Sequence, residues 1–298
     1  MAESPIITFY SPRAGVGNTV TMAQVASILA RDYGLDVLTV DMNLNAPSLQ
    51  EYFGISQEDV GCGFFDMILD YKELLRQDVG EDEIPEPITD VNKYIKIAPL
   101  DLDKGSVSII PAGIYSTCNN MNKSEDYYNA VNSFDWNNFY DKWHGYGYLK
   151  YLKQQFKDAA DVVLVDGGSG FNTPSLIALM DVADDISIQF AYNNTNIKDL
   201  DIMVKNISNK NLSSEICLRP SFINTEDIHN LNKWGKRTVS ALKRYIPSLN
   251  INVLRANTIP YDVQFAAGGC SAIEELPENI KAPYSRIAKD ITEKIELS

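Results

Sequence analysis

The sequence contains very little histidine and cysteine, and it has no apolar run of membrane-spanning length. Its 298 residues include 2 histidines and 4 cysteines, and the cysteines lie far apart and form no Cys-x-x-Cys pair. This composition argues against a metal centre built from these residues and against a disulfide-stabilised fold. The first residues, MAESP, lack the basic and apolar regions of a signal peptide, so we expect a cytoplasmic protein.

Basic residues are also scarce relative to acidic ones. The chain has 26 Lys and Arg against 40 Asp and Glu, which gives a formal net charge of −14. Such an excess repels phosphate backbones and argues against broad nucleic-acid binding, although it is compatible with a local basic patch. Hydrophobic residues make up 45% of the chain, which is enough for a sizeable core.

The N-terminal part of the chain alternates between strand and helix patterns. Ile6–Tyr10 is a short β-branched and aromatic run that predicts a strand, and a loop with a proline and two glycines follows it. Apolar residues then recur at helical spacing from Thr19 to about Tyr33, and Asp36–Asp41 predicts the next strand. A unit of this kind favours a parallel sheet with a right-handed crossover connection.

The same alternation returns in the C-terminal half. Val162–Val165 is a continuous apolar run, as expected of a buried central strand. Further predicted strands cover Ile186–Tyr192, Ile216–Asn224 and Ile251–Ile259, and predicted helices cover about 195–208, 227–246 and 283–297. We therefore predict an α/β fold in which a mostly parallel, twisted sheet carries helices on both faces.

The segment at about 55–150 does not show this alternation. It contains an acidic, proline-containing stretch at 81–87 and a stretch rich in Asn, Tyr and Trp at 119–148. We predict an irregular elaboration on one edge of a single domain that spans residues 1–298. Four aromatic residues are expected to pack locally rather than to form a ligand cage. They are Trp136, Tyr140, Trp143 and Tyr146.

The stretch Ser11–Thr19 (SPRAGVGNT) places a Gly-x-Gly-x-Thr pattern between the first strand and the first helix. Glycines let backbone N–H groups turn toward a phosphate, and the helix N-terminus adds a favourable dipole. A P-loop also uses a lysine on the phosphates and a Ser or Thr on Mg²⁺; here Asn18 stands at the lysine position, before Thr19. By itself this loop is a weak signal, because glycine turns between strands and helices are common.

Two aspartates make the signal stronger. Asp41 ends the second predicted strand, and Asp166 ends the apolar run at 162–165. Ile259–Asp262 lies near the end of the last predicted strand, at the same edge of the sheet. Carboxylates at the carboxyl ends of parallel strands, beside a phosphate loop, stand where a Mg²⁺–nucleotide site needs them.

Taken together, these stretches resemble the ParA/MinD family of deviant-Walker P-loop ATPases, and in particular its branch with KGGVGR-type loops. Phe9–Thr19 (FYSPRAGVGNT) is similar to the FYSxKGGVGRT-like opening of that branch. Val37–Phe53 is similar to the VLxVDxDLEAPGLxxYF stretch that follows it. The similarity continues through Ile109–Gly113, Val163–Asp166 and Ile259–Asp262, so it covers most of the chain.

The resemblance implies a site for ATP and Mg²⁺. Thr19, Asp41 and Asp166 would hold the metal, and Asp41 would also lie beside the attacking water. The residues that would surround the phosphates are Gly15, Val16, Gly17, Asn18, Thr19 and Val20.

The resemblance also implies contacts beyond the phosphates. Asn224 matches the family asparagine that contacts the base, and Pro260 and Asp262 would border the purine pocket. Family members form face-to-face dimers around two ATP molecules, in which a signature lysine reaches across to the partner. Arg13 occupies that signature position here, so the resemblance gives it a catalytic role in cis or across a homodimer.

The chain departs from the family pattern at three charged positions. The signature lysine is Arg13, which keeps one charge, whereas the P-loop lysine is the neutral Asn18. Asn43 replaces the second aspartate of the Asp-x-Asp pattern. Asn18 can hydrogen-bond a phosphate oxygen, but the loss of a cation from a phosphate clamp commonly removes several kcal/mol of transition-state stabilisation.

Two functions remain open on these grounds. The first is an ATP-dependent dimerising switch in intracellular positioning or partition, with weak or slow ATP hydrolysis. Its motivation is the retention of Gly17, Thr19, Asp41 and Asp166. The second is a catalytically inactive pseudo-ATPase that acts as a scaffold or adaptor for a protein partner. Its motivation is Asn18, Asn43 and Pro12, which stands at the first glycine position of the loop. The sequence favours nucleotide binding over efficient hydrolysis, and it names no partner.

DNA and membranes are the remaining candidate partners. One compact basic cluster lies on the predicted helix at 227–246, and we favour a solvated helix face over DNA binding because the chain is acidic overall. Its residues are Lys233, Lys236, Arg237, Lys243 and Arg244. The polar face of the helix at 283–297 mixes both charge signs, unlike a membrane-surface helix, so we expect this helix to pack on the sheet.

Overall fold

The computed structural model describes residues 3–56, 59–76, 89–113, 121–208, 215–223, 235, 240, 251–253, 259–260, 276 and 278–297. Within these residues nine strands form one sheet, in the order β3-β4-β2-β5-β1-β6-β7-β8, with β9 also paired to β7. The strands are β1 (Ile6–Ser11), β2 (Asp36–Asp41), β3 (Lys96–Ile97), β4 (Ser106–Ile110), β5 (Val162–Ser169), β6 (Asp185–Ala191), β7 (Ile216–Ile223), β8 (Ile251–Val253) and β9 (Ile259–Pro260). β3 runs antiparallel to β4, and the other pairings are parallel.

Helices separate most of the strands. They are α1 (Asn18–Tyr33), α2 (Phe64–Arg76), α3 (Met121–Ser133), α4 (Trp136–Asp141), α5 (Gly145–Asp158), α6 (Thr173–Ile177), α7 (Asn194–Ser208) and α8 (Glu278–Leu297). Short 3₁₀ turns cover Leu49–Phe53 and Val91–Lys93, and a π-helical turn at Ala178–Val182 continues α6. Among the described residues, no helix combines the length and the apolar character needed to cross a membrane.

Helices cover both faces of the sheet, which confirms the predicted α/β fold. In β5, Val163 and Val165 join the core cluster that contains residues of α2–α6, whereas Val162 and Leu164 join the cluster that contains residues of α1 and α8. All four side chains are buried. A strand covered on both faces has no solvent side, which explains why this run is continuously apolar.

The C-terminal helix packs on the sheet, as expected. Ile280, Tyr284, Ile287 and Ile291 of α8 are buried in the cluster that contains α1. The helix begins at Glu278 rather than at 283, and Pro283 lies inside it. Ile280 anchors the added turn in the core, and we infer that this burial offsets the unfavourable proline.

The segment at about 55–150 is more regular than predicted. It supplies β4, which pairs along its length with β2, and it supplies the helices α2–α5. The prediction of local aromatic packing is confirmed for Trp136, Tyr140 and Trp143, which pack against the core. It is wrong for Tyr146, which is 62% exposed. The single domain over 1–298 stays a prediction.

Two other predictions concern the C-terminal half. In place of one strand over Ile251–Ile259, the structure has the short strands β8 and β9, which both pair with β7, and 254–258 lie outside the described residues. Most of the helix predicted at 227–246 also lies outside them, and only positions 235 and 240 are described, as helical.

Candidate nucleotide-binding site

The glycine-containing loop joins β1 to α1 at the carboxyl edge of the sheet. Gly15 and Gly17 have φ angles of 79° and 84°, a left-handed conformation that favours glycine. Gly17 precedes the first helical residue, Asn18, and no side chain caps the helix there. The first N–H groups of a helix have no intrahelical partner, so the start of α1 can bind an anion.

Asp166 of β5 lies next to the start of α1 and accepts three hydrogen bonds. Its Oδ2 accepts a hydrogen bond from the Thr19 hydroxyl at 2.6 Å. Its Oδ1 accepts from the Asn18 side-chain amide at 3.1 Å and from the Gly168 backbone N–H at 2.8 Å. Asp166 is fully buried. Burial raises the pKa of this carboxyl group, while the three hydrogen bonds oppose the rise.

Asp41 ends β2 directly opposite Asp166 on β5. Its oxygens accept the backbone N–H groups of Asn43 at 2.9 Å and of Ser48 and Leu49, both at 3.3 Å. Burial raises the pKa of Asp41 well above its usual value, and the charge of Asp166 adds to the rise. Two buried neighbouring carboxylates favour a bound cation, because a cation would compensate both charges.

The residues present fit a magnesium ion that is bound together with phosphate. Thr19, Asp41 and Asp166 offer the oxygen ligands that Mg²⁺ prefers, and they lie at one edge of the sheet. The described residues include no cluster of three His, Cys, Asp or Glu that could hold a metal alone. Mg²⁺ is commonly held by one or two carboxylates and by phosphate oxygens, so such a cluster is not required.

The Asn43 side chain stabilises the loop after β2. Its amide donates to the Ala46 carbonyl at 2.8 Å. A Cβ atom on Gly168 would lie 2.6 Å from the Asn43 Oδ1, so the loop after β2 packs closely against the end of β5. Position 43 therefore supplies a structural contact where the related family pattern has a second carboxylate.

Asn18 directs its side chain into the protein. Its amide donates to the Phe9 carbonyl and to Asp166, each at 3.1 Å, and the residue is 7% exposed. Its Oδ1 is buried without a hydrogen-bond partner. The side-chain amide that was predicted to hydrogen-bond a phosphate oxygen therefore donates to β1 and β5 instead. The place of Asn18 among the phosphate-binding residues stays a prediction.

Arg13 lies on the exposed part of the loop, with 52% of its side chain accessible, and forms an ion pair with Asp199 of α7. Asp199 also lies near Tyr10, whose hydroxyl donates to the Gly170 carbonyl at 3.1 Å. Burial and the Asp199 charge together raise the pKa of Tyr10. The guanidinium charge is therefore compensated within the chain, and its role across a dimer stays a prediction.

Gln189 is a site residue that the sequence analysis missed. It lies in β6, is 1% exposed, and donates from its side-chain amide to the Val16 carbonyl of the loop. The available signal was one carboxamide in the stretch ISIQF of a predicted strand, where the only other polar side chain is the small Ser187. A buried amide needs a hydrogen-bond partner, and the loop provides it.

The remaining predicted residues are described only in part. Val20 lies half-buried in the first turn of α1. Pro260 lies in β9, where its backbone pairs with Ile223 at the end of β7. The two other predicted base-site residues and the basic cluster lie outside the described residues; they are Asn224, Asp262, Lys233, Lys236, Arg237, Lys243 and Arg244.

Three solved structures show where this architecture occurs. A putative plasmid partition protein from Borrelia burgdorferi B31, bound to AMPPNP, is 16% identical over 98% of this chain and 99% of its own, with a TM-score of 0.58. An ATP complex of a Cyanothece McdA variant is 15% identical over 98% of each chain, with a TM-score of 0.61. The septum site-determining protein MinD from Pyrococcus horikoshii OT3, in complex with Mg-ADP, is 16% identical over 99% of this chain and 98% of its own, with a TM-score of 0.58.

Sequence comparison adds no closer relative. No protein-family profile matches the chain, and no curated protein matches it. The structural similarity extends over nearly the whole chain. The chain therefore has the fold of the ParA/MinD-type P-loop ATPases.

Proposed function

We propose that the chain is an ATP- and Mg²⁺-binding switch of the ParA/MinD type, which dimerises with nucleotide and hydrolyses it slowly. The observation that supports this most is the convergence of Thr19, Asp41 and Asp166 at the start of α1. The structural neighbours contain AMPPNP, ATP or Mg-ADP, which supports the choice of ligand. Their names, which include plasmid partition and septum site determination, support a role in positioning or partition.

Different residues of this chain are proposed to bind the phosphates, the metal and the attacking water. The backbone N–H groups from Gly15 to Thr19 would bind the phosphates: those at the start of α1 have no intrahelical partners, and the left-handed glycines turn the preceding loop toward the same site. Thr19, Asp41 and Asp166 would hold the metal. Bound Mg²⁺ would compensate the charge of the phosphates and polarise the transferred phosphoryl group. Asp41, which three backbone hydrogen bonds hold in place, would orient the attacking water.

Hydrolysis is proposed to be slow because position 18 supplies no cation. The Asn18 amide is bonded to the Phe9 carbonyl and to Asp166, so it brings no charge to the phosphates. Removal of a charge-stabilising group from a phosphoryl-transfer site typically costs a few kcal/mol of barrier, or about 100- to 1000-fold in rate. Arg13 could restore part of this loss across a dimer, but it would first have to leave Asp199.

The same position of Asn18 favours a second candidate function. In a pseudo-ATPase that serves as a scaffold or adaptor for a protein partner, the network of Asn18, Thr19 and Asp166 would preserve the fold without turnover.

Sedimentation and phosphate release distinguish the two functions. For the switch, sedimentation velocity should show dimers with Mg-AMPPNP and monomers without nucleotide, and slow phosphate release should disappear in Asp41→Ala. An unchanged sedimentation coefficient together with phosphate release no faster than in Asp41→Ala would favour the scaffold.

A further inference from the structure

Gln189 is buried in the centre of the sheet and directed at the phosphate loop. Its strand, β6, pairs with β1, the strand that leads into the loop. The side-chain amide donates to the Val16 carbonyl, while its Oε1 is buried without a hydrogen-bond partner. A carboxamide is costly to bury, and this one satisfies a backbone acceptor in the loop rather than a group of its own strand.

The orientation of the Val16 peptide determines what the loop can bind. Backbone N–H groups can surround a phosphate only if the carbonyls of the same residues point elsewhere. The Gln189 amide holds the Val16 carbonyl on the protein side of the loop. Val16 itself is 4% exposed, so burial of its side chain and the hydrogen bond to its carbonyl together hold this part of the loop against the sheet.

Gly17 leaves the space that this contact needs. A Cβ atom at position 17 would lie 3.3 Å from the Gln189 Nε2, closer than most such contacts. Asn18, the first residue of α1, adds a second carboxamide, which donates to the Phe9 carbonyl of β1. One neutral amide thus ties the start of α1 to β1 and the other holds the Val16 carbonyl of the loop, and neither places a charge next to the phosphates.

We propose that Gln189 is a positioning residue for the phosphate loop. It keeps the Val16 carbonyl turned inward, so that the N–H groups of residues 15–19 are arranged for phosphate before nucleotide binds. The effect on nucleotide affinity rests on the proposed function, whereas the effect on the loop itself does not. The two can therefore be tested separately.

The first experiment uses the full-length protein without nucleotide. Hydrogen–deuterium exchange is measured for the peptide that covers the loop in the unsubstituted protein, in Gln189→Met and in Ile188→Val. Ile188 is the adjacent, buried residue on the other face of β6, so its variant loses packing without losing the loop contact. Gln189→Met should raise exchange in the loop by about tenfold relative to Ile188→Val. Equal exchange in the two variants would overturn the proposal.

The second experiment measures Mg-ATP affinity by isothermal titration at several pH values. Gln189→Met should raise the Kd about 5- to 10-fold, as expected for one lost hydrogen bond, while Ile188→Val leaves it unchanged. Gln189→Glu separates positioning from packing. The protonated carboxyl group of this variant can donate to the Val16 carbonyl, and its carboxylate cannot. The ratio of its Kd to that of the unsubstituted protein should therefore decrease as the pH falls.

The possible failures are distinguishable. A pH-independent Kd ratio for Gln189→Glu, or a normal Kd for Gln189→Met, would contradict the positioning role. If the unsubstituted protein does not bind Mg-ATP, the proposed function fails, and the exchange experiment still decides whether Gln189 holds the loop.

Discussion

Gly15 and Gly17 form a matched pair for testing how the loop is held. Their φ angles, 79° and 84°, are nearly the same, so an alanine at either position carries the same backbone strain. Their surroundings differ. A Cβ at Gly15 would meet no atom within 4 Å, whereas a Cβ at Gly17 would lie 3.3 Å from the Gln189 amide nitrogen and 3.4 Å from Val20 Cγ1.

The expected magnitudes follow from this difference. Left-handed backbone costs an L-residue about 1–2 kcal/mol, and Gly15→Ala should lower the free energy of unfolding by about that amount. Gly17→Ala carries the same cost and also forces the Gln189 amide to move by a few tenths of an ångström, which strains its hydrogen bond to the Val16 carbonyl. Strain on a hydrogen bond between buried groups adds about 1 kcal/mol. Gly17→Ala should therefore be the less stable variant by about that additional amount.

Urea denaturation of the nucleotide-free protein measures both values. The extra cost of Gly17→Ala should largely disappear when Gln189 is replaced by alanine, because the new methyl group then has space; a double-mutant cycle isolates this coupling. If Gly15→Ala and Gly17→Ala differ by less than about 0.5 kcal/mol, or if the cycle shows no coupling, the described contact between Gln189 and the loop does not stabilise it.

Three further predictions concern charged groups. Lys294→Met removes the cation that holds two carboxylates at 2.7 and 2.8 Å, so chemical denaturation should show a loss of about 1–2 kcal/mol. Asp166→Asn keeps acceptor and donor atoms for its hydrogen bonds but removes a buried charge. The free energy of unfolding without metal should stay the same or increase. The gain in nucleotide affinity on adding Mg²⁺ should become smaller by about 10-fold or more. Asp199→Asn frees Arg13, so stability should change by less than about 1 kcal/mol while sedimentation with Mg-AMPPNP shows tighter dimers.

Local patterns in the sequence predicted most of the framework. The strand at Asp36–Asp41 has the predicted bounds, and the first helix begins at Asn18 rather than Thr19, one residue earlier. The apolar run at Val162–Val165 was identified as central because buried strands need no polar side. Asp41 and Asp166 could be predicted to lie together, since the carboxyl ends of parallel strands meet at one edge.

Long-range partners could not be predicted in this way. The contacts of Gln189 with Val16 and of Arg13 with Asp199 join residues far apart in sequence, and no local periodicity encodes them. The direction of the Asn18 side chain depends on two acceptors, the Phe9 carbonyl of β1 and the Asp166 carboxylate of β5, which lie next to it only in the folded chain. The helices at 55–150 were missed although α2 carries buried apolar residues at helical spacing, as at Phe64, Met67 and Tyr71, because the acidic and Asn-rich stretches around these helices indicated irregular structure.

Isothermal titration of the full chain with ATP, in the presence of Mg²⁺ and then of EDTA, tests the central claim most directly. The account predicts saturable binding of one nucleotide per chain with Mg²⁺, and much weaker binding in EDTA and in Thr19→Val, whose hydroxyl is lost. Thr21→Val, a buried threonine of α1 outside the proposed site, serves as the matched control and should bind normally. Absence of binding by the unsubstituted protein, or equal binding by Thr19→Val, would contradict the proposed site.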